Sequence, residues 1–247
     1  MMKPFLSRLR ASAMELVYPE FANCLGCGEP SGTDVRWLCG ECLKKLEECR
    51  IDRDRACPRC GAPLKGDICV RCGDWPRDGV NRAAYAFGYQ PPVDNIIRNM
   101  KYRGVYRLGS FMAADMARLV NELCPDGIDR IVPVPMHPAR MRERGKNHAQ
   151  VIAAALSGET GIPCAEMLIR IKNTRQQAKL TGEERREALK GAFGIREPSE
   201  ASGKKILLAD DVITTGSTVN ECARVLRGAG AVRVYACAFA GEAKGGL

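Results

Sequence analysis

The stretch ILLADDVITTGST, residues 206–218, joins an apolar run to two acids and a loop of threonine, glycine and serine. The apolar run predicts a buried strand over Lys205 to Ala209, and Ser217 to Ala229 is expected to form the next helix. In an open parallel sheet, ligands bind where the strands end, so this turn should lie at a binding edge. Backbone N–H groups, hydroxyls and a helix N-terminus suit a phosphate, and the carboxylates of Asp210 and Asp211 suit vicinal hydroxyls.

Two other interpretations of this stretch explain less of it. A Walker B strand also ends in acids, but it requires a Gly-x-x-x-x-Gly-Lys-Ser/Thr loop upstream, and the sequence has none. An acidic N-cap on a core helix explains one aspartate. It does not explain a pair of aspartates followed by three threonines, a glycine and a serine in six positions from Ile213. We therefore interpret the stretch as a ligand-binding loop.

Strand and helix patterns alternate around this loop. This alternation predicts an α/β fold with a parallel sheet flanked by helices. The other predicted strands are Ala83 to Tyr89, Arg130 to Pro135, Ala165 to Ile171 and Val232 to Ala240, and the other predicted helices are Pro91 to Tyr102, Leu108 to Leu123 and Asn147 to Leu156.

The charge of the chain is concentrated in its second part. Of the net charge of +9 over 247 residues, +1 belongs to residues 1–80 and +8 to residues 81–247. Such an excess favours anionic partners, namely a phosphorylated substrate, a nucleic acid or both. A basic surface that only keeps the protein in solution is the alternative.

Eight of the 13 cysteines form four Cys-x-x-Cys pairs. We find no export signal and no stretch long enough to span a membrane, so we expect a reduced, cytoplasmic protein in which paired cysteines bind metal. A redox site of the thioredoxin kind would use one pair, whereas four pairs are typical of two zinc sites with four cysteine ligands each. Sequential pairing is preferred, and a crossed arrangement stays open. The pairs are Cys24/Cys27, Cys39/Cys42, Cys57/Cys60 and Cys69/Cys72.

The patterns divide the chain into three parts. Residues 1–22 are predicted to hold an N-terminal helix, and residues 23–78 the double zinc-finger module. Residues 79–247 are predicted to form the α/β domain. The polar, breaker-rich segment 74–79 is the expected boundary between the two larger parts.

The loop at residues 206–218 resembles the binding motif of type I phosphoribosyltransferases for 5-phosphoribosyl-1-pyrophosphate (PRPP). The whole chain resembles the ComF family, in which a zinc-finger module precedes such a domain. The resemblance rests on Tyr18-Pro19, Met100 to Gly104, Val132 to Pro135, Arg140 to Asn147, Thr174-x-x-Gln177-x-x-Leu180, Arg185, Gly191 to Phe193 and the loop itself.

The resemblance implies a role for each of these segments. Asp210 and Asp211 would be the catalytic, ribose-binding acids, and the phosphate loop would be Thr214, Thr215, Gly216, Ser217 and Thr218. Pyrophosphate or another anion would meet Lys101, Val134, Pro135, Arg140 and Arg144. A flexible loop with Thr174, Gln177 and Arg185 would close over the sugar, and Mg²⁺ would accompany PRPP.

Two functions follow as hypotheses. The first is a Mg²⁺-dependent phosphoribosyltransferase of unknown acceptor. The second is a non-catalytic protein that uses the phosphate-binding fold to handle single-stranded DNA. The resemblance joins them, because the ComF family is associated with natural competence, and it implies single-stranded DNA and DNA-uptake proteins as partners.

Overall fold

A computed structural model describes residues 23–30, 37–73, 75–173 and 182–242. Its helices are α1 (Gly40–Glu48), α2 (Val93–Arg103), α3 (Leu108–Leu123), α4 (Pro138–Arg144), α5 (His148–Thr160), α6 (Gly182–Leu189) and α7 (Ser217–Gly228). Its strands are β1 (Arg82–Gly88), β2 (Arg130–Pro133), β3 (Leu168–Arg170), β4 (Phe193–Ile195), β5 (Lys205–Ile213) and β6 (Arg233–Gly241). None of the helices in these ranges is both long and apolar enough to cross a membrane.

Four strands form a parallel sheet in the order β1-β6-β5-β2. Helices α3 and α5 cover one face, where Leu207 and Phe239 are buried, and α7 covers the other, where Leu208 and Ala236 are buried. Consecutive residues of β5 thus enter opposite cores, which explains why its run is apolar without alternation. The predicted α/β fold with a parallel sheet between helices is confirmed.

The predicted strand from 165 to 171 is only partly correct. Cys164 bridges to Ile131 of β2, but Leu168–Arg170 turns away from the parallel sheet and pairs antiparallel with β4. Strand β4 is not predicted from the sequence, because three residues with a central Gly194 show no period-2 pattern. This hairpin lies beside the loop that follows β2.

The cysteine-rich segment is built into the core of the α/β unit. Leu25 and Leu46 belong to the cluster of buried residues on one face of the sheet, and Cys60 belongs to the cluster on the other. The backbone of Ile51 donates to Ala86 of β1 at 2.9 Å, so this segment covers the edge of that strand. The expected polar boundary at 74–79 contains Trp75, which is buried.

Candidate functional site

A cleft of about 380 Å³ opens at the carboxyl ends of β2 and β5. Parallel strands direct their C-terminal loops to this edge, as the sequence predicts. Five cationic side chains and two carboxylates line the cleft, so its net charge is positive and suits an anionic ligand. The cations are Arg98, Lys101, Arg140, Arg144 and Arg170, and the carboxylates are Asp210 and Asp211.

The two acids lie within β5 rather than after it. The strand was expected to end at Ala209, but it continues to Ile213 because β6 runs beside it as far as Gly241. Asp211 is 7% exposed and forms an ion pair with Lys101, with Nζ 2.8 Å from Oδ2. The backbone N–H of Asp211 donates to Oδ1 of Asp210 at 2.8 Å. Both carboxylates reach the same cleft although they are neighbours on a strand.

The carboxyl group of Asp210 is held in an unfavourable environment for a charge. Burial and the neighbouring Asp211 raise the pKa of Asp210 to about 7. Burial would lower the pKa of Lys101, but Asp211 and Asp210 outweigh burial, and the pKa of this lysine is raised. The site therefore holds a carboxyl group, Asp210, whose charged form a hydroxyl donor or a cation would stabilise.

The loop that begins at Thr214 has two faces. Thr214 and Thr218 line the cleft with the acids, whereas Thr215 and Ser217 line a separate hollow of about 420 Å³ on the other side. Gly216 lies between them with φ +77°, a conformation that side chains rarely adopt, and caps α7. Thr214 and Thr218 thus flank the helix N-terminus on the side of the cleft.

The proline-rich loop after β2 also forms part of the cleft wall. Val134 and Pro135 line the cleft, and the backbone of Val134 donates to Ala209 at 3.0 Å. Asn147, which also lines the cleft, holds this loop in place, because its Nδ2 donates to the carbonyl of Val134 at 3.0 Å. Its Oδ1 accepts from the backbone of Ala149 at 3.2 Å and caps α5. One buried asparagine therefore fixes both the loop and the following helix.

Helix α4 brings part of the basic cluster into the cleft. Arg140 and Arg144 line it, whereas Arg142 lines a neighbouring hollow beside the β3–β4 hairpin. The guanidinium of Arg144 lies 5.1 Å from the ring centre of Tyr102, whose side chain is 70% exposed. The mouth of the cleft thus offers a cation next to an exposed aromatic ring.

All five residues predicted to contact pyrophosphate line the cleft. Of the predicted flexible loop, Thr174 and Gln177 lie outside the described residues, and Arg185 lies in α6, where its side chain is not described. The cleft is also lined by Arg98, Tyr102, His148 and Arg170, which were not predicted as site residues from the sequence. Arg98 precedes Lys101 by one helical turn, a spacing that puts both on one face of α2. His148 is buried, and burial lowers its pKa.

The eight paired cysteines form two clusters in sequential order, as preferred from the sequence. Within each cluster the sulfur atoms all lie within 4.8 Å of one another. The Cys57–Cys72 and Cys60–Cys69 sulfur distances are 3.7 and 3.6 Å. Four sulfurs held tetrahedrally about 2.3 Å from one zinc are roughly 3.8 Å apart, so the donor set fits structural zinc. The clusters are Cys24, Cys27, Cys39 and Cys42, and Cys57, Cys60, Cys69 and Cys72.

Comparison with known families agrees with both parts of the chain. Residues 105–246 match the family described as "Phosphoribosyl transferase domain", and residues 13–75 match the family described as "Double zinc ribbon domain". The first match covers the cleft except for Tyr89 and the residues of α2. The second covers both cysteine clusters and ends at Trp75.

Curated relatives extend over most of the chain. Competence protein ComFC of Bacillus subtilis is 28% identical over 82% of this chain and 88% of its own length. DNA utilization protein YhgH of Salmonella typhimurium is 30% identical over 86% of this chain and 94% of its own length. Competence protein F of Haemophilus influenzae is 27% identical over 83% of this chain and 90% of its own length.

Proposed function

The chain belongs to the ComF family, in which a double zinc ribbon accompanies a phosphoribosyltransferase domain, and we propose that it binds PRPP with Mg²⁺ and transfers its phosphoribosyl group. The observation that carries this proposal is the cleft, which Asp210 and Asp211 line together with a hydroxyl-bearing loop and several cationic side chains. A ligand with a phosphate, a diol and a pyrophosphate matches these three kinds of group.

Each part of PRPP has a counterpart along the cleft. The 5-phosphate is assigned to the loop with Thr214 and Thr218, and the ribose hydroxyls donate to Asp210 and Asp211. The pyrophosphate is assigned to the proline-rich loop with Arg140 and Arg144. Departure of pyrophosphate leaves positive charge at C1, as at a glycosidic centre, so stabilising the leaving group is the main task. Mg²⁺ bound through ligand oxygens supplies part of that stabilisation.

Thermal unfolding with and without Mg²⁺–PRPP tests the proposal. At about a hundredfold the dissociation constant, the ligand should stabilise the wild type by roughly 2.7 kcal/mol. Arg140→Ala and Asp211→Asn should reduce this stabilisation. Arg142→Ala is the matched control, because it removes the same charge from the same helix outside the cleft. No stabilisation of the wild type, or equal losses in Arg140→Ala and Arg142→Ala, would overturn the assignment of the cleft.

The relatives' names point to competence and DNA utilisation, and one observation favours a role of the same cleft in binding single-stranded DNA. Tyr102 is exposed beside Arg144, and single strands bind through aromatic stacking combined with basic side chains. We place this role in the reducing cytoplasm, since the paired cysteines form metal-type clusters rather than disulfides. The relatives' names make DNA-uptake proteins the expected partners.

Fluorescence anisotropy with a labelled single-stranded oligonucleotide tests the DNA role. We expect affinity to fall steeply with salt, because the basic side chains contact phosphates, and to depend little on sequence, because every base can stack on an aromatic ring. Tyr102→Ala should weaken binding, whereas Tyr102→Phe keeps the ring and should not. Mg²⁺–PRPP should compete with the oligonucleotide. Absence of binding at low salt would reject the DNA role, and binding that PRPP leaves unchanged would reject the shared site.

A further inference from the structure

Trp75, at the end of the cysteine-rich segment, supports the phosphate loop from the side away from the cleft. Its indole Nε1 donates to the carbonyl of Thr215 at 3.0 Å, and its side chain is buried. The ring also lies directly against Gly216, since a Cβ there would be 2.3 Å from Cζ2 of the indole. The tryptophan therefore fixes the peptide between Thr215 and Gly216 by a hydrogen bond and by contact.

The backbone around Trp75 is tied to the second cysteine cluster. The Trp75 N–H donates to the carbonyl of the ligand residue Cys72 at 3.2 Å. Arg59, which lies between two cysteines of the cluster, donates to the carbonyls of Cys72 and Trp75, both at 3.1 Å. One guanidinium thus links the cluster to the residue that supports the phosphate loop.

Asn220 of α7 adds a second connection between the same segment and the loop. Its Nδ2 donates to the carbonyl of Gly216, and its Oδ1 accepts from the backbone of Val80, both at 3.0 Å. The chain from Trp75 to Val80 is therefore bound at both ends to residues of the loop or the helix that follows it. A shift of this segment would move the loop with it.

We propose that Trp75 is a positioning residue that holds Thr215 and Gly216 in the phosphate-binding conformation and makes this conformation depend on the second cysteine cluster. The inference rests on the proposed function, in which this loop receives the 5-phosphate. A phosphate is bound by backbone N–H groups that point toward it, so the orientation of each peptide in the loop sets the affinity. The carbonyl of Thr215 belongs to the same peptide unit as the N–H of Gly216, and Trp75 fixes that unit.

Two partial ligands separate this role from general destabilisation. Ribose 5-phosphate needs the loop, whereas inorganic pyrophosphate needs the proline-rich loop and the arginines, which Trp75 does not support. By isothermal titration calorimetry, Trp75→Ala should bind ribose 5-phosphate about tenfold more weakly, the equivalent of one hydrogen bond. Pyrophosphate affinity should be unchanged. Trp75→Phe keeps part of the ring contact and should lose less affinity for ribose 5-phosphate. Trp37→Ala, at the other cysteine cluster, should leave this affinity unchanged.

Arg59→Ala tests the link to the cysteine cluster without removing a cysteine. We expect it to weaken ribose 5-phosphate binding by a similar factor, whereas Arg55→Ala, an exposed residue of the same module, has no effect. Because the two residues act in series, Arg59→Ala should add nothing in a Trp75→Ala background. In a Trp37→Phe background, the fluorescence of Trp75 should change when ribose 5-phosphate binds.

The outcomes distinguish this inference from the proposed function. A wild type that binds neither PRPP nor ribose 5-phosphate would overturn both. A wild type that binds both, together with a Trp75→Ala variant of equal affinity, would overturn only the inference. If Trp75→Ala lost affinity equally for ribose 5-phosphate and pyrophosphate, Trp75 would have only a general structural role. If the affinity losses of Arg59→Ala and Trp75→Ala added up in the double variant, Trp75 would not depend on the cysteine cluster through Arg59.

Discussion

At the scale of single residues, the ionisation of the Asp210 carboxyl group opposes folding. Its pKa is about 7 in the folded protein, against an ordinary value of 3.8. Between pH 3.8 and about pH 7, the folded chain holds a proton on Asp210 that the unfolded chain has released. The free energy of unfolding therefore falls as the pH rises through this range. Asp210→Asn removes the charge and keeps an oxygen that accepts from the backbone of Asp211. We expect its melting temperature to exceed that of the wild type by more at about pH 8 than at about pH 5.

Thermal denaturation of both proteins across this pH range measures the difference. Glu200→Gln, measured at the same pH values, is the control, because it removes a carboxylate that is exposed in a short 3₁₀-helix. An advantage of Asp210→Asn that does not change with pH would contradict the explanation. Mg²⁺–PRPP should reduce the advantage, since hydroxyl donors and a cation stabilise the ionised carboxylate of the wild type.

At the scale of an element, the turn between β5 and α7 depends on a glycine for two separate reasons. Gly216 has φ +77°, and a Cβ there would meet the ring of Trp75. Gly203 has φ +70° with no atom within 4 Å of such a Cβ, so it isolates the backbone effect. Gly203→Ala should cost about 1–2 kcal/mol, and Gly216→Ala should cost more and abolish stabilisation by PRPP. If urea unfolding showed equal losses of stability for Gly203→Ala and Gly216→Ala, the contact with the Trp75 ring would have no role.

At the scale of the whole molecule, the zinc ribbons are part of the core rather than an appendage. Residues of the two cysteine clusters are buried together with opposite faces of the sheet. Structural zinc contributes about 10–16 kcal/mol per site, which matches or exceeds the whole stability of a typical domain. Purified protein should contain about two zinc ions per chain, and strong chelation should unfold the sheet in a single transition.

Metal analysis and far-UV circular dichroism during chelation check this expectation. Re-adding zinc under reducing conditions should restore both the spectrum and the stabilisation by PRPP. A zinc-free protein that keeps its helical signal and still binds PRPP would contradict it. That outcome would instead fit the polar boundary that the composition of 74–79 suggests.

The sequence by itself determined the features that depend on local patterns. The parallel sheet follows from apolar runs such as Ile206 to Ala209, and the spacing of the cysteines predicts two sites of four cysteines. The sequence only favoured the sequential order of the clusters over a crossed one, and the fold decided it. The loop that we propose to bind phosphate could also be located from local sequence, because its acids, hydroxyls and glycine lie within nine consecutive positions, 210–218. In each case the relevant residues lie within a few positions of one another, where chain geometry restricts the arrangement.

Tertiary structure decided the features that depend on distant partners. Strand β5 passes through both acids because β6 is alongside, and β4 exists because β3 pairs with it. Arg98 and Arg170 reach the cleft from α2 and β3, and neither carries a motif. The support of Gly216 by Trp75 joins residues 141 positions apart, and no local pattern contains it. Such contacts form only when the whole core is packed. Local sequence therefore indicates the chemical groups of the candidate site, and the tertiary fold determines which distant residues surround them.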